Sequence, residues 1–324
     1  MKNKLLLLAI ITLISTAAYI CSKKRSNTTK YCIGVIQTAS HPALDKARES
    51  FISEFEKLTN EPISWIIQNA EGSISQMATI AKGYALEKHM DAIYAIGTSA
   101  VQVTHKIAAE KPMLYSAVSD PDSLNLGNMA CGTSDRVDVV AQAEMIKEVL
   151  PNAKRVAILL NPAEHNSVIQ VSAMQAALYK EGFEPIKVGV QVQSEIASAV
   201  SMASKQADLI LIPADNLLVS AMPLISKIAL QNSCPLIVSD TPSVTNGALI
   251  ARGVDYSDCG KQTAIIAYKL LCEGKSPRDL GTTHPKSRLI VVNTDTCKSL
   301  GISIPQSMKS QVTQVKTGGN IPCQ

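Results

Sequence analysis

Residues 91–99 read Asp91-Ala-Ile-Tyr-Ala-Ile-Gly-Thr-Ser99, and a similar stretch, Asp208-Leu-Ile-Leu-Ile-Pro-Ala-Asp-Asn216, begins 117 positions later. Each stretch is an apolar run that starts at an aspartate and ends in polar residues. Each is followed by a segment of helical pattern and then by a strand-like run that begins with a proline, Pro112 or Pro235. An internal repeat of about 120 residues predicts two α/β lobes of the same design, with a cleft between them.

Short apolar runs alternate with stretches of helical spacing along the rest of the chain. Most runs are unbroken, as in parallel strands that are covered on both faces. Helical spacing is clear from Leu44 to Leu58 and from Val168 to Leu178, and Gly182 suits the end of the second helix. The alternation predicts doubly wound parallel sheets. The predicted strands are Cys32–Gln37, Ala92–Ile96, Met113–Val118, Arg155–Leu160, Leu209–Ile212, Leu236–Val238, Leu249–Ala251 and Leu289–Val292.

The N-terminal residues predict an export signal rather than part of the fold. A short basic stretch precedes an apolar run over residues 5–20, which is shorter than the about 20 residues that span a bilayer. Cys21 follows this run, where bacterial lipoproteins carry an acylated cysteine, although Ile20 is bulkier than the usual Gly or Ala. We assign residues 1–20 to a signal peptide and 21–30 to a tether. Acylation of Cys21, ordinary cleavage after Ala17 or Ala18 and an uncleaved anchor stay open.

The net charge of +4 is concentrated in this leader. Five Lys and Arg residues lie within the first 25 residues, which contain no Asp or Glu, so the rest of the chain carries −1. Aromatic residues make up only 4% of the chain, which leaves few rings for stacking bases. A nucleic-acid-binding function therefore loses its main support. The length of 324 residues suits two core-forming domains.

The cysteine pattern favours neither a metal site nor a disulfide framework. None of the cysteines after Cys21 forms a Cys-x-x-Cys pair or has a closely spaced histidine, so a zinc site is not expected. Their number is odd, so they cannot all pair within the chain. We expect small buried side chains with at most one disulfide. These cysteines are Cys32, Cys131, Cys234, Cys259, Cys272, Cys297 and Cys323.

Polar residues at the ends of the predicted strands are the candidate ligand contacts. Thr98 and Ser99 follow Gly97 at the start of a helix, where free N–H groups favour an anion such as a carboxylate. Asn166 and Ser167 open the equivalent helix of the second lobe. For both pairs, simple helix capping is the alternative.

A second group of strand-end residues is acidic. Asp215 with Asn216, and Asp240, would hold an ammonium group through charge-assisted hydrogen bonds, with capping or turn formation as the alternative. His41 would be either a donor to the ligand or a structural residue. An anion-binding pole facing an acidic pole suits a zwitterion and so predicts an amino-acid ligand.

Several motifs resemble those of the tryptophan/tyrosine-type substrate-binding proteins of ABC importers. The similarity runs from about Ile33 to Pro305. In chain order the motifs are Ile33-Gly-Val-Ile-Gln-Thr-Ala-Ser-His-Pro-Ala-Leu-Asp-Lys-Ala-Arg48, Gln68-Asn-Ala-Glu-Gly72, Val118-Ser-Asp-Pro121, Leu150-Pro-Asn-Ala-Lys-Arg-Val-Ala-Ile-Leu-Leu-Asn-Pro162, Pro213-Ala-Asp-Asn216, Asp240-Thr-Pro-Ser-Val244 and Gly260-Lys-Gln-Thr263.

The resemblance implies a periplasmic-binding-protein fold of type I. Its class is α/β, with two similar doubly wound parallel-sheet lobes joined by a three-strand hinge and a ligand cleft between them. We expect lobe 1 to comprise residues 31–133 plus 253–283, lobe 2 residues 134–252 plus 284–305, and a C-terminal tail residues 306–324.

The resemblance also implies a function, namely closure over one small ligand and its delivery to a membrane permease powered by an ATPase. No cofactor, metal or nucleic acid is expected. The protein would be an exported monomer, either free in the periplasm or held at the outer face of the cytoplasmic membrane by its N-terminal signal or a lipid on Cys21.

Carried over by motif, the candidate residues take the roles of the family's cleft positions. Thr98, Ser99, Asn166 and Ser167 match loops that bind the ligand carboxylate; Asp215, Asn216 and Asp240 match positions near its amino group; His41 sits at the cleft edge. Departures from the family pattern at Ser40, Ala214 and Tyr115 affect ligand identity more than mechanism. Tyr115 and Trp65 are each candidates either for an aromatic wall or for the core. The predicted ligand-binding residues are His41, Thr98, Ser99, Tyr115, Asn166, Ser167, Asp215, Asn216 and Asp240.

Other functions are less well supported. An enzyme would use Asp215 or Asp240 as general base with His41 or His165 nearby, but the chain has no Gly-x-Ser-x-Gly, phosphate-loop or His-Glu-x-x-His motif. A binding protein for a sugar or another solute stays open. A ligand-sensing repressor would need an N-terminal helix-turn-helix, and the apolar leader occupies that place.

Overall fold

The computed structural model describes residues 29–285 and 288–321. The predicted signal peptide, Cys21 and Cys323 lie outside the described residues. The strands are β1 (Tyr31–Gln37), β2 (Ile63–Asn69), β3 (Ala92–Ile96), β4 (Met113–Val118), β5 (Ala130–Ser134), β6 (Arg155–Leu160), β7 (Glu184–Gly189), β8 (Leu209–Ile212), β9 (Leu236–Val238), β10 (Ile250–Val254), β11 (Thr282–Thr283), β12 (Arg288–Asn293) and β13 (Val312–Val315). The helices are α1 (Pro42–Thr59), α2 (Ile74–Leu86), α3 (Thr98–Ile107), α4 (Val139–Val149), α5 (His165–Lys180), α6 (Ile196–Gln206), α7 (Asn216–Ser220), α8 (Met222–Gln231), α9 (Tyr256–Leu271), α10 (Pro277–Leu280) and α11 (Thr294–Leu300).

The strands form two sheets, one in each lobe. The first sheet has the order β11-β5-β4-β3-β1-β2, and the second has the order β13-β12-β10-β9-β8-β6-β7. The run β5-β4-β3-β1-β2 in the first sheet is therefore repeated as β10-β9-β8-β6-β7 in the second. Among the described strands, only β10 and β12 pair antiparallel. The prediction of two similar doubly wound α/β lobes is confirmed.

The repeat extends to individual hydrogen bonds at the starts of the strands. The Asp91 carboxylate accepts the N–H of Cys32 in β1 at 2.8 Å, and the Asp208 carboxylate accepts the N–H of Arg155 in β6 at the same distance. In both lobes an aspartate that precedes the third strand thus ties down the first strand. This role explains why the two similar stretches begin with the same residue.

Each sheet is covered on both faces, which accounts for the unbroken apolar runs. In β3, Tyr94 belongs to the core on the face covered by α1 and α9, whereas its neighbour Ile93 belongs to the core on the other face. The second sheet is likewise enclosed between two cores, with Leu211 in one and Ile210 in the other. Successive side chains of a strand point to opposite faces, so a strand buried on both sides needs apolar residues at every position.

The chain passes between the lobes three times. β5 leads to α4, whose Ile146 packs in the core of the second sheet. β10 leads back to α9, whose Cys259 packs in the core of the first sheet, and the third passage joins β11 to β12. Gly132 lies within β5 and Gly253 within β10. A Cβ at Gly132 would lie 2.1 Å from a carbonyl oxygen of β4, and one at Gly253 would lie 2.3 Å from the carbonyl oxygen of the residue that follows β9, so neither position accommodates a side chain.

The C-terminal segment differs from its sequence-based interpretation. Residues 306–324 were predicted to be a tail, but β13 pairs in parallel with β12, from Ile290 with Val312 to Asn293 with Val315. Val315 is buried in the core of the second lobe. The short run from Val312 to Val315 has two polar residues between two valines and so lacks the apolar continuity of the inner strands.

None of the helices within the described residues is both long enough and apolar enough to cross a membrane. The six cysteines in the described part of the chain are free thiols, and burial raises the pKa of Cys131 to about 12.

Candidate functional site

A small cavity with about 20 Å³ of free space lies between the lobes, at the carboxyl ends of both sets of parallel strands. Beside it the cleft widens into a space of about 500 Å³, which shares Asn216 with the cavity and falls within the range of small-molecule sites, about 300–1,000 Å³. Lobe 1 contributes the loops after β1, β3, β4 and β5, and lobe 2 contributes the residues that follow β6, β8 and β9. The polar residues that line it are His41, Thr98, Ser119, Asp135, Asn166, Asp215, Asn216 and Asp240. Most of the predicted site residues are therefore brought together.

The start of α3 forms one wall. Gly97 has φ +90, and a Cβ there would meet the Thr38 hydroxyl at 2.6 Å, so this turn requires glycine. The Thr38 hydroxyl accepts the N–H of Ala100 at 3.1 Å. The N–H groups of Thr98 and Ser99 lie in the first turn and have no acceptor within the helix. The helix therefore offers two backbone donors and the Thr98 hydroxyl at its positive end.

The backbone of Ala117, in the same wall of the cavity, is strained. It lines the cavity near the end of β4 with φ +57, in the left-handed region that favours glycine. The pairing of β4 with β5 shifts register between Tyr115 and Val118, on either side of this residue. Strained positions of this kind persist where the surroundings hold them and are common at binding sites.

Glu164 organises the wall contributed by lobe 2. Its Oε2 accepts the Asn216 side-chain amide at 2.6 Å, the Asn216 backbone N–H at 2.9 Å and the Asn166 amide at 3.3 Å. Its Oε1 accepts the Leu217 N–H at 3.0 Å. Glu164 was not among the predicted site residues. Its proximity to a second helix start at Asn216 is a tertiary feature that sequence spacing does not reveal.

Asp215 lines the cavity, but its oxygens are already engaged. Oδ2 accepts the N–H of Asn161 at 2.6 Å, and Oδ1 accepts the N–H of Leu218 at 3.0 Å, which makes Asp215 the N-cap of α7. Burial, followed by the nearby charge of Glu164, raises the pKa of Asp215 to about 7. The structure thus gives this residue the capping role that was the alternative to direct ammonium contact.

Asp240 has the free oxygen that Asp215 lacks. Its Oδ2 accepts the backbone N–H of Ser243 at 3.0 Å and the Ser243 hydroxyl at 2.6 Å. Its Oδ1 is buried and has no hydrogen-bond partner among the described residues. Burial raises the pKa of Asp240, while hydrogen bonds from Ser243 and the proximity of His41 act in the opposite direction. Asp240 therefore presents an unused acceptor to the cavity.

Asp135 and Tyr256 are functional-site residues that the sequence analysis missed. Asp135 is the first residue after β5, and its carboxylate accepts the Ser119 hydroxyl and the Tyr256 hydroxyl, each at 3.0 Å. Burial raises the pKa of Asp135, although both hydrogen bonds oppose that shift. The rule that site residues follow strands would have identified Asp135, but β5 was not predicted as a strand. Tyr256 was missed because the preceding strand was expected to end at Ala251.

Two histidines join the lobes across the cleft. His41 Nε2 lies 3.2 Å from Asn216 Oδ1 in the cavity, and His165 Nε2 lies 3.1 Å from the Ser123 hydroxyl outside it. Each pair joins one residue of lobe 1 to one residue of lobe 2. The structure therefore holds the two lobes in contact around the cavity.

The cavity contains several polar atoms that the protein itself does not satisfy. Among the described residues, the buried side-chain atoms without a hydrogen-bond partner include His41 Nδ1, Thr98 Oγ1, Asn166 Oδ1 and Asp240 Oδ1. All four residues line the cavity, two from each lobe. No Lys or Arg of the described residues lines it. Buried polar groups are normally paired, so this arrangement points to a polar ligand.

Three predicted site residues do not line the enclosed cavity. Ser99 faces the outer part of the cleft, and Ser167 is completely buried behind the cavity wall, where its hydroxyl lowers the pKa of Asp215. Tyr115 was predicted as a ligand contact, but it packs in the core of lobe 1, where its hydroxyl hydrogen-bonds the Thr282 hydroxyl at 2.6 Å. Trp65 packs edge-on against Phe51 and likewise does not line the cavity.

Comparison with known proteins agrees with this architecture. A tyrosine-binding protein from Clostridioides difficile (strain R20291) is 34% identical over 289 residues, covering 86% of this chain and 82% of that protein. The crystal structure of an ABC domain in complex with L-Trp from Streptococcus pneumonia has a TM-score of 0.84 at 28% identity, and the match covers 89% of this chain and 100% of that one. The ligand-free, open structure of a substrate binding protein with adhesive properties from Clostridium difficile has a TM-score of 0.67 at 33% identity, covering 89% of this chain and 99% of that one.

A family model for ABC transporter substrate binding proteins matches residues 32–316, which is nearly the whole described part of the chain. The two-lobed fold, the cavity between the lobes and its unpaired polar atoms all fit that match. The chain therefore belongs to the family of ABC transporter substrate binding proteins.

Proposed function

We propose that this protein is the extracytoplasmic binding component of an ABC importer, which encloses an amino acid, most favourably an aromatic one, and delivers it to a membrane permease. The observation that carries the proposal is the set of four unpartnered atoms around the cavity, on His41, Thr98, Asn166 and Asp240. A zwitterion would supply donors to the acidic side of the cavity and acceptors to the other.

The amino group of the ligand is assigned to the acidic side. Asp240 Oδ1 and Asn166 Oδ1 are free acceptors, and Asp135 and Asp215 add negative charge nearby. Buried carboxylates without a positive partner are costly, so an ammonium ion in the cavity would offset part of their desolvation. Asp240 takes the direct contact, because the Asp215 oxygens are occupied by backbone N–H groups.

The carboxylate of the ligand is assigned to the start of α3. The Thr98 hydroxyl has no partner, and the free N–H groups of the first turn lie beside it at the positive end of the helix. Ser99 contributes through its backbone N–H rather than its hydroxyl. This distribution puts the donor side of the site in lobe 1 and most of its acceptor atoms in lobe 2.

An apolar side chain is the best match to the rest of the lining. Leu44, Val219 and the ring of Tyr256 lie in the cavity wall. One relative is named a tyrosine-binding protein and another was solved in complex with L-Trp. The fold agrees better with the L-Trp complex than with the ligand-free, open structure, although the open one is more similar in sequence. This supports a closed arrangement and an aromatic amino acid as the ligand.

Binding and closure are coupled in this proposal. A ligand that contacts both lobes binds the closed form better than the open one and so shifts the hinge equilibrium towards closure. The closed protein then presents both lobes together to the permease. Export through residues 1–20, acylation of Cys21 and a monomeric state belong to the same proposal.

A ligand screen by thermal unfolding tests it. The purified exported chain is heated with each of the twenty amino acids, with indole-3-lactate and with a panel of sugars and polyols. A ligand at 100 times its Kd stabilises by about 2.7 kcal/mol, which raises Tm by several degrees in a protein of this size. We expect that rise with tryptophan or tyrosine. A rise with a sugar and with no amino acid would overturn the proposal.

A further inference from the structure

We propose that Glu164 is the positioning residue that makes this cavity selective for an amino group, because it fixes two asparagine amides with their oxygens facing inward. The inference rests on the proposed function and concerns how the same site recognises its ligand. Glu164 lines the wider outer part of the cleft and not the cavity itself, and it acts on the cavity through Asn166 and Asn216.

The orientation of Asn166 follows from its hydrogen bonds. One amide hydrogen is donated to the Ala214 carbonyl at 2.6 Å, and the other points to Glu164 Oε2 at 3.3 Å. An ionised carboxylate only accepts hydrogen bonds, so the amide nitrogen must face it. Both N–H groups of the Asn166 amide therefore have acceptors. Its Oδ1 is buried at the cavity and has no hydrogen-bond partner among the described residues.

The orientation of Asn216 follows in the same way and extends across the cleft. Its amide nitrogen donates to Glu164 Oε2 at 2.6 Å, so its Oδ1 is the atom that lies 3.2 Å from His41 Nε2. His41 must therefore donate through Nε2. In the neutral imidazole the other nitrogen is then an acceptor, and His41 Nδ1 is buried without a partner.

One carboxylate thus sets the hydrogen-bonding character of three groups. With Glu164 in place, Asn166 Oδ1 and, in the neutral imidazole, His41 Nδ1 are acceptors without a protein donor, and Asp240 Oδ1 is a further acceptor that does not depend on Glu164. An ammonium group has three N–H donors and no acceptor, so it matches this set, whereas a hydroxyl has one donor. If the two amides were reversed, they would present N–H groups and repel the ammonium group.

The variant Glu164→Gln tests this assignment. The shape of the side chain is kept, but one of the two acceptor oxygens becomes an N–H donor, and the negative charge that orients both asparagine nitrogens is lost. We expect the affinity for L-tryptophan to fall by at least about tenfold, while the affinity for indole-3-lactate, which has a hydroxyl in place of the amino group, stays the same or increases. The ratio of the two Kd values, measured by titration calorimetry, is the informative quantity.

A structural role for Glu164 would give a different result. Glu164 also accepts backbone N–H groups of Asn216 and Leu217, so its loss would loosen α7 as well. A purely structural effect would weaken both ligands by the same factor, and an unchanged ratio would overturn the inference. Failure of the wild-type protein to bind any amino acid would overturn the proposed function, and this inference with it.

Glu195→Gln is the matched control. Glu195 belongs to the same lobe, and its Oε2 accepts the backbone N–H groups of Gln191 at 2.9 Å and Val192 at 3.4 Å, but it does not line the cavity. Its replacement should leave both affinities unchanged. A change in the ratio with this variant would mean that any lost carboxylate in lobe 2 alters selectivity, which would also contradict a specific role for Glu164.

Discussion

The hydroxyl of Tyr256 donates a hydrogen bond of 3.0 Å to the Asp135 carboxylate, and this bond ties together two of the passages between the lobes. Asp135 follows β5 directly, and Tyr256 begins α9 just after β10. Both residues line the ligand cavity. A ligand in the cavity would therefore contact the hinge itself. The Tyr256–Asp135 hydrogen bond belongs both to the cavity wall and to the hinge, so it couples ligand binding to the hinge angle.

Replacing Tyr256 with phenylalanine should weaken ligand binding and lower stability. The variant leaves a buried carboxylate oxygen without its donor, which costs about 1–3 kcal/mol. We expect the free energy of unfolding to fall by that amount, and the ligand Kd to rise because the closed hinge is less favoured. Denaturant unfolding and calorimetry measure the two effects.

Tyr94→Phe provides the comparison for this variant. Tyr94 is another buried tyrosine of lobe 1, and its hydroxyl lies 2.8 Å from Ser116 Oγ, away from the cavity lining. The Tyr94→Phe substitution should lower the free energy of unfolding without changing the ligand Kd. Equal changes of Kd in the two variants would contradict a hinge role for Tyr256.

Replacing Asp240 with asparagine should cause the largest loss of amino-acid affinity. The free Oδ1 is the proposed contact of the ligand ammonium, and loss of one partner of a buried charge pair costs about 2–5 kcal/mol. We expect Kd to increase by at least about thirtyfold, which corresponds to about 2 kcal/mol. Asp120 is the control, because it lies at the equivalent place 120 residues earlier but pairs with Arg136 near the surface. Asp120→Asn should leave Kd nearly unchanged, and comparable losses would reassign the ammonium contact.

Ligand affinity should increase as the pH rises towards and through 7. Burial raises the pKa of Asp135 and Asp240, and burial with the charge of Glu164 raises that of Asp215 to about 7. An ammonium ligand favours the ionised carboxylates and so lowers these pKa values on binding. Protons should therefore be released, which calorimetry in two buffers of different ionisation enthalpy detects. Proton uptake would contradict an ammonium in the acidic part of the cavity.

The stability of the ligand-free protein should carry a contribution from Asp215 that decreases as the pH rises from about 4 to about 7. The pKa of Asp215 is raised from 3.8 to about 7 on folding, so the native state binds the proton that the unfolded state has lost. The slope from one such proton is about −1.4 kcal/mol per pH unit. Asp215→Asn should remove this slope; a wild-type slope in the variant would show that Asp215 is ionised when folded.

The contribution of Asp208 to stability should change with pH in the opposite direction. Backbone N–H groups of Arg155 and Lys154 lower its pKa, so its contribution is present above pH 4 and is lost as the pH falls further. Asp208→Asn should therefore reduce stability at neutral pH more than in acid. Urea unfolding at a series of pH values distinguishes the two aspartates.

Strands could be predicted from the sequence where burial is complete and side chains are large. Met113–Val118 and Leu209–Ile212 were predicted to the residue because every position is apolar or small and covered on both faces. β2 and β7 lie at sheet edges and mix polar with apolar residues, so they lack that continuity. β5 is buried throughout, but its sequence Ala-Cys-Gly-Thr-Ser contains no large apolar side chain.

Site residues could be predicted from the sequence where they come just after a strand that was itself predicted. Thr98 and Asp240 lie in the cavity because each comes directly after a recognised strand, whereas Asp135 follows the strand that was missed. Tyr115 was misassigned because only its chain position was considered. It lies within β4, and its side chain points to the sheet face whose core lies away from the cavity. Which face a strand residue occupies depends on the packing of the lobe, and that is not contained in the local sequence.

The repeated strand order gives the two lobes the same set of strand ends, and the equivalent aspartates have nevertheless taken different positions. Asp240 lies in the cavity while its counterpart Asp120 pairs with Arg136, and Asp135 lies in the cavity while its counterpart Asp255 caps α9. Two identical half-sites would accept a zwitterion equally well in either of two reversed orientations. Because the halves differ, only one orientation is satisfied. An amino acid would then be held with a fixed head and tail, so that a third contact, made by its side chain, distinguishes it from its mirror image.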